Sequence, residues 1–222
     1  MILIRMRKSI TVFFLLLIAT KEFVVAFVKP WGGSHHSLVN MRLLDAVQHE
    51  PVRTPKTDIP ENFGPSSLRD QTLFTCQRPG NDLEEDPIPA SAVAESVAFL
   101  KSKGIQHVLV LLDDNELEVY EEPGLLELYK QGGLVPHLTP MGVSGAHANI
   151  MQILEDIDAK QEKAVTHCTG GTGRAGRVAA AWLASRYDLS PEEATKETID
   201  AALESGVQRL GDVSKLAEWM EK

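Results

Sequence analysis

The residues from Val165 to Val178, Val-Thr-His-Cys-Thr-Gly-Gly-Thr-Gly-Arg-Ala-Gly-Arg-Val, leave the chain few ways to fold. A short apolar and β-branched run reads as a strand, the glycines interrupt it, and the alanine-rich stretch that follows reads as a helix. Strand, glycine loop and helix in that order form the repeating unit of an α/β domain.

The same residues supply the parts needed to attack a phosphate monoester. At the end of the strand, Cys168 faces unpaired backbone N–H groups and the positive end of a helix dipole, and both favour thiolate over thiol. Gly170, Gly171 and Gly173 permit backbone conformations closed to other residues, so that the loop with Thr169 and Thr172 can turn its N–H groups inward as an anion nest. Arg174 can fork two donors onto two phosphate oxygens, which a lysine cannot do in one plane. Displacement at phosphorus needs an ionised group held in line and donors around the outer oxygens, and Cys-x5-Arg provides each. The competing readings are a tight structural turn with a buried cysteine and a nucleotide-binding loop. The latter lacks the Lys-Ser/Thr pair its pattern requires, since Gly176 is followed by Arg177.

Around this unit strands and helices alternate. Strands are expected over Gln71–Cys76, His107–Leu112, Leu134–Leu138 and Lys163–His167, with Pro136 demoting the third to an edge or irregular strand. Helices are expected over Ser91–Lys103, Pro123–Gln131 and Ala148–Ala159, then through the alanine-rich stretch. Another opens at Ser190-Pro191-Glu192-Glu193, where serine caps, proline suits the first turn and Glu193 closes a capping box. A last helix carries Val213, Leu216, Ala217 and Met220. His107–Leu112 is continuously apolar, as in a strand buried on both faces. The expected fold is α/β, a mostly parallel central sheet with helices on both faces.

The N-terminal end reads as an address. Three basic residues before Ile10, an apolar middle to Ala19 and Val24-Val25-Ala26 describe a signal peptide over residues 1–26, the apolar middle being shorter than the ~20 residues of a spanning helix. Residues 27–67 read as a transit-like or disordered arm, mildly basic at first and then broken by Pro51, Pro55, Pro60 and Pro65. With Phe27 directly after the cleavage site, the leader resembles the two-part plastid leaders of algae with secondary plastids; secretion is the alternative. The globular domain is expected to span residues 68–222.

The formal net charge is −9; removing residues 1–26 takes away four basic side chains and one acidic, leaving −12. So acidic a body excludes general nucleic-acid binding and stable association with anionic membranes once the leader is removed. Two cysteines, Cys76 and Cys168, are too few for a disulfide scaffold.

His167-Cys168-x5-Arg174 resembles the signature of the cysteine-based protein tyrosine phosphatases. From Leu73 to Lys222 the chain is similar to the dual-specificity group, and within it to the cyclin-dependent-kinase-associated phosphatases. The similarity rests on Thr75-Cys-Gln-Arg-Pro79-Gly80, Leu100-Lys-Ser-Lys-Gly104, Leu125-Leu-Glu-Leu-Tyr129-Lys-Gln-Gly-Gly-Leu134 and Leu189-Ser-Pro-Glu-Glu-Ala194. It implies the phosphatase fold, a cysteinyl-phosphate intermediate, no metal or other cofactor, a phosphorylated protein as partner and substrate, and a monomer. It also implies that His167 fixes the loop and helps hold the thiolate, without acting as the base.

Two departures bear on catalysis. Ala175 stands where the family usually has a hydroxyl that helps expel the thiolate. Plastid glucan phosphatases share that alanine, which opens a carbohydrate-phosphate alternative. More seriously, the family's general acid is an aspartate on the loop after the strand ending near Leu138, and that loop here reads Thr-Pro-Met-Gly-Val-Ser-Gly-Ala-His, with no Asp or Glu between Glu127 and Glu155. Losing a positioned acid costs roughly 10²- to 10⁴-fold when the leaving group is poor. Asp113 and Asp114, just past a buried strand at the end where open α/β sheets form their clefts, are either replacement acids or a solvated turn, and His137 and His147, which flank the emptied position, are either proton donors or surface and capping histidines. Arg177 either adds positive potential at the mouth or pairs with a carboxylate. Cys76, expected beside the loop, is either a redox partner for Cys168 or core. An active phosphatase of reduced power, a phosphate-reading pseudophosphatase and a glucan phosphatase are the functions these residues allow.

Overall fold

The computed structural model of the protein describes residues 50–84 and 86–222. The expected signal peptide and the expected transit-like arm up to residue 49 lie outside the described residues. In chain order the elements are β1 (Val52–Arg53), a 3-10 turn (Pro60–Asn62), β2 (Gly64–Pro65), β3 (Leu73–Gln77), α1 (Ala90–Ser102), β4 (His107–Val110), α2 (Asp114–Leu117), α3 (Leu125–Gln131), β5 (Val135–Leu138), α4 (Ala146–Ala159), β6 (Ala164–Cys168), α5 (Gly173–Tyr187), α6 (Pro191–Ser205), β7 (Leu210–Gly211) and α7 (Val213–Met220).

The main sheet runs in the order β2-β3-β6-β4-β5. Its last three pairings are parallel and β2 alone is antiparallel. β4 is buried along its whole length, and its alternate residues serve two cores: Leu109 and Leu111 face α4 and α5, while Val108, Val110 and Leu112 face α1 and α3. β5 is the edge strand that Pro136 demands, and α6 begins with the expected capping box at Ser190 and Glu193. The helices thus cover both faces of a largely parallel sheet.

A buried carboxylate ties the start of β3 to α5. Asp70, 1% exposed, accepts from the backbone of Thr72 and Leu73 at 3.0 and 2.9 Å and from the Trp182 indole at 3.0 Å. A buried charge is tolerable when its lone pairs are filled in this way.

The folded unit begins earlier than residue 68. β1 pairs antiparallel with β7, and Thr54 bonds to the Val207 carbonyl and takes the Arg209 N–H, both at 2.7 Å. Phe63 stacks on Phe74 with ring centroids 5.2 Å apart. The prolines do rule out long regular elements here, yet two-residue strands and a 3-10 turn accommodate them, which no periodicity signals. Arg209, held by this clasp, is fully buried, and its guanidinium has no hydrogen-bond partner among the described residues. Burial pushes its pKa down to about 10.

Candidate active site

β6 delivers Cys168 as its last residue, 4% exposed, and α5 begins at Gly173. Between them the loop is fastened from outside. Its Thr169 carbonyl takes the Arg78 N–H at 3.0 Å, its Gly170 carbonyl the Asn62 amide at 3.2 Å, and its Thr172 carbonyl the Leu210 N–H at 3.3 Å. The carbonyls are therefore turned outward. None of the five backbone N–H groups from Gly170 to Arg174 donates to another group among the described residues. Free donors beside a cysteine, at the start of a 15-residue helix, make an anion-binding hollow.

The three loop glycines are not equivalent. Gly171 has φ +67°, and a Cβ there would lie 2.4 Å from the Cys76 carbonyl, so only glycine fits. At Gly170 and Gly173 a Cβ would meet nothing closer than 4.0 and 3.8 Å, and neither has a positive φ. Gly176 sits against Arg209, whose Cδ would lie 2.7 Å from an added Cβ.

Arg174 is held by a carboxylate that sequence reasoning missed. Glu116 on α2 accepts from Nη1 at 2.5 Å and Nη2 at 2.6 Å, Leu111 O accepts from Nη1 at 2.9 Å, and Thr169 Oγ1 accepts from Nη2 at 3.0 Å. Among the described residues only the Nε–H remains without a partner, so a phosphate meeting the fork edge-on would have to displace Thr169, leaving Glu116 behind the fork. The Arg174 hydrogen bonds, with lesser help from Thr169 and the Asp113 backbone, hold the Glu116 carboxyl down at about 2. It is an anion at neutral pH and no proton donor. Its signal in the sequence was Asp113-x-x-Glu116, a helix-start pattern directly after the buried strand, with the Asp113 N–H donating to Glu116 at 3.0 Å.

The other expected residues fall in several places. Asp113 lies at the rim, its side chain 60% exposed and one oxygen 4.0 Å from Arg174 Nη1. Asp114 is exposed, with no side-chain hydrogen bond or ion pair among the described residues. His167 is fully buried and shares a hydrogen bond of 3.1 Å with the Tyr129 hydroxyl. Strand alternation turns its ring to the α1–α3 side, away from Cys168, so it acts on the loop through β6 and not through a bond to the sulfur. Burial foremost, then Arg174 and Arg78, push its pKa down to about 3, which keeps the imidazole neutral.

His137 is not beside the loop as a replacement acid. It bonds His107 at 3.1 Å, and His107 bonds Glu162 at 2.7 Å, a chain at the start of β4, the end of the sheet opposite Cys168. His147 stands edge-on to Trp219 with centroids 5.0 Å apart, and burial lowers its pKa. Cys76 pairs in register with His167 and belongs to the α1–α3 core, whereas Cys168 belongs to the α4–α5 core. The two sulfurs thus start from opposite faces of the sheet, and burial pushes the Cys76 thiol well up. This arrangement fits core burial of Cys76.

The cyclin-dependent kinase inhibitor 3 family matches the chain over residues 35–195. Cyclin-dependent kinase inhibitor 3 of Sus scrofa is 30% identical over 186 residues, which cover 80% of this chain and 86% of that protein. The Homo sapiens protein gives the same figures, 30%, 80% and 86%. A crystal structure of kinase associated phosphatase, with its catalytic-site cysteine replaced by serine, is similar with a TM-score of 0.58 and 28% identity, covering 74% of this chain and 97% of that one. Tk-PTP in its active form has a TM-score of 0.54 at 20% identity, covering 73% and 98%, a likeness of fold.

Proposed function

The chain belongs to the cyclin-dependent kinase inhibitor 3 family, within the cysteine-based phosphatases, and on that premise we propose that it hydrolyses phosphotyrosine, phosphoserine or phosphothreonine esters of proteins through a cysteinyl-phosphate intermediate. The observation that carries the reading is the conjunction at one loop of Cys168, five free backbone N–H groups and the Arg174 fork braced by Glu116. In the first step the Cys168 thiolate forms a bond to phosphorus as the bond to the leaving oxygen breaks. Loop N–H groups and Arg174 take up the charge on the outer oxygens. With Glu116 ionised and no carboxyl group between residues 139 and 145, that oxygen takes its proton from water. In the second step water attacks phosphorus, the thiolate leaves without a hydroxyl at Ala175 to assist it, and the water's proton goes to solvent. The full chain should release p-nitrophenol from p-nitrophenyl phosphate, and Cys168→Ser should abolish that release. Turnover that survives the substitution rules the mechanism out.

A second reading is a phosphate-reading module with little turnover. It is favoured by the absent acid and by Arg174, four of whose five N–H groups are already occupied. It is distinguished by phosphopeptide binding to the wild-type protein without phosphate release.

A further inference from the structure

A groove of about 720 Å³ lies between the 139–145 loop, the first turn of α4 and α7. Met141 and Trp219 give it an apolar wall. Its charged lining is Arg177, Lys215 and Lys222 against one carboxylate, Glu218, in a chain whose formal charge is −9. Two of these cations are engaged: Lys222 pairs with Glu218 at 2.6 Å and Lys215 with Asp212 at 3.3 Å. Arg177 is half-buried and makes no hydrogen bond or ion pair among the described residues, and Asp212 and Glu218 act on it only through longer-range attraction. In the same wall the Nε2 atom of His147 is buried without a partner. A half-buried guanidinium with unspent N–H groups in a concave wall lacks an acceptor.

The position of Arg177 says where that acceptor comes from. It follows Arg174 by three residues on α5, so both side chains rise from one helix face. The cleft on the other side of the loop differs. It measures about 380 Å³; three of its side-chain amides are bonded, Asn62 to Gly170 and Gln208, Gln77 to Asp82 and Asn81 to Gln77, and its cation Lys56 stands 3.9 Å from Asp82. The groove on the Arg177 side differs in holding a guanidinium without a partner among the described residues.

We propose that this groove is a subsite for a second anionic group on the phosphorylated protein segment whose phosphate enters the Cys168 loop, with Arg177 as its principal contact. The proposal rests on the phosphatase reading and adds to it a substrate class: segments bearing two negative groups. An extended segment advances about 3.3 Å per residue, so the second group belongs roughly two to four residues from the phosphoresidue. Met141 and Trp219 cover the side chains between.

The test uses the full chain and phosphotyrosine peptides that differ at one position, two to four residues away, where they carry alanine, glutamate or phosphoserine. The glutamate peptide should exceed the alanine peptide in kcat/KM by about tenfold and the phosphoserine peptide by more, as expected for charge-assisted contacts. Raising the salt concentration should narrow the gap. In Arg177→Gln the ratio should fall to about one, and Arg177→Lys should recover part of it. Equal rates on the three peptides in the wild-type protein, or an undiminished ratio in Arg177→Gln, overturn the proposal. If no peptide releases phosphate, the phosphatase reading has failed, and the subsite is judged by binding of the same peptides to Cys168→Ser. There it stands if the doubly phosphorylated peptide binds about tenfold tighter and adding Arg177→Gln removes the difference, and it falls if the affinities are equal.

Discussion

Glu116 holds Arg174 by both ends of its fork, through hydrogen bonds of 2.5 and 2.6 Å. A bidentate charge-assisted pair fixes a plane as well as a position. Glu116→Gln keeps the size but offers one acceptor where there were two, and it leaves Arg174 free to swing. We expect kcat/KM on p-nitrophenyl phosphate to fall about 10- to 100-fold, less than the roughly 10²- to 10³-fold cost of removing a transition-state donor outright, as read by steady-state kinetics. An unchanged rate would show that Arg174 is held well enough by Leu111 and Thr169.

The same pair carries a pH dependence. The Glu116 carboxyl titrates at about 2 in the folded protein against an ordinary 4.5. Its contribution to stability is therefore complete above 4.5 and disappears as pH falls toward 2. Acid unfolding followed by circular dichroism should gain steepness from this group below pH 4.5, and Glu116→Gln should remove that share. Between pH 5 and 8 the group contributes no slope.

With no carboxylic acid over residues 139–145, the rate should depend strongly on the leaving group. Phosphate esters of acidic phenols should turn over faster than alkyl esters by roughly 10²- to 10⁴-fold, the usual worth of a positioned acid. Asp114→Asn should leave both classes unchanged, because Asp114 lies in solvent. A selective loss on alkyl esters in Asp113→Asn would identify the rim aspartate as a working proton donor after all.

Gly171→Ala and Gly170→Ala separate backbone necessity from loop composition. The first puts a Cβ 2.4 Å from the Cys76 carbonyl at φ +67°; the second meets nothing within 4.0 Å. Gly171→Ala should cost about 2–4 kcal/mol or prevent folding, given the strain of αL backbone and the clash together. Gly170→Ala should stay within about 1 kcal/mol, as substitutions without a structural conflict do. Urea denaturation of the pair decides it.

Asp70→Ala removes a buried acceptor from two N–H groups and the Trp182 indole. We expect a loss of about 3 kcal/mol, the scale for orphaned buried donors, with the Cys168 loop chemistry intact once the protein is folded. Thermal unfolding and specific activity of the folded fraction measure the two effects separately.

Much of this architecture was legible because it is periodic. β4 announced itself as a continuous apolar run and β6 as a short apolar and β-branched one, α4 by helical spacing, α5 by its alanine-rich composition and α6 by its capping box. The loop was legible because Cys168, its glycines and Arg174 are adjacent in sequence. What escaped lies in contacts made across the chain. Glu116 reaches Arg174 over 58 residues, and a three-residue capping pattern does not reveal which cation its carboxylate meets. His137 looked suitable only by its proximity to the emptied acid position, whereas the pleat of β5 and its pairing with β4 carry it to His107. The early strands were hidden because two-residue pairings have no period to read.

The clasp that Thr54 makes with Val207 and Arg209 closes 153 and 155 residues of chain. β1 has no partner until Leu210 and Gly211 exist, so during synthesis the N-terminal arm must wait for nearly the whole domain to emerge. Asn62 waits likewise, since it joins Gly170 to Gln208. Closures over such lengths carry the largest entropic cost and come late in folding. The catalytic loop, fully written by residue 174, thus gains the Asn62 and Leu210 parts of its outer brace only when the two far ends of the domain meet.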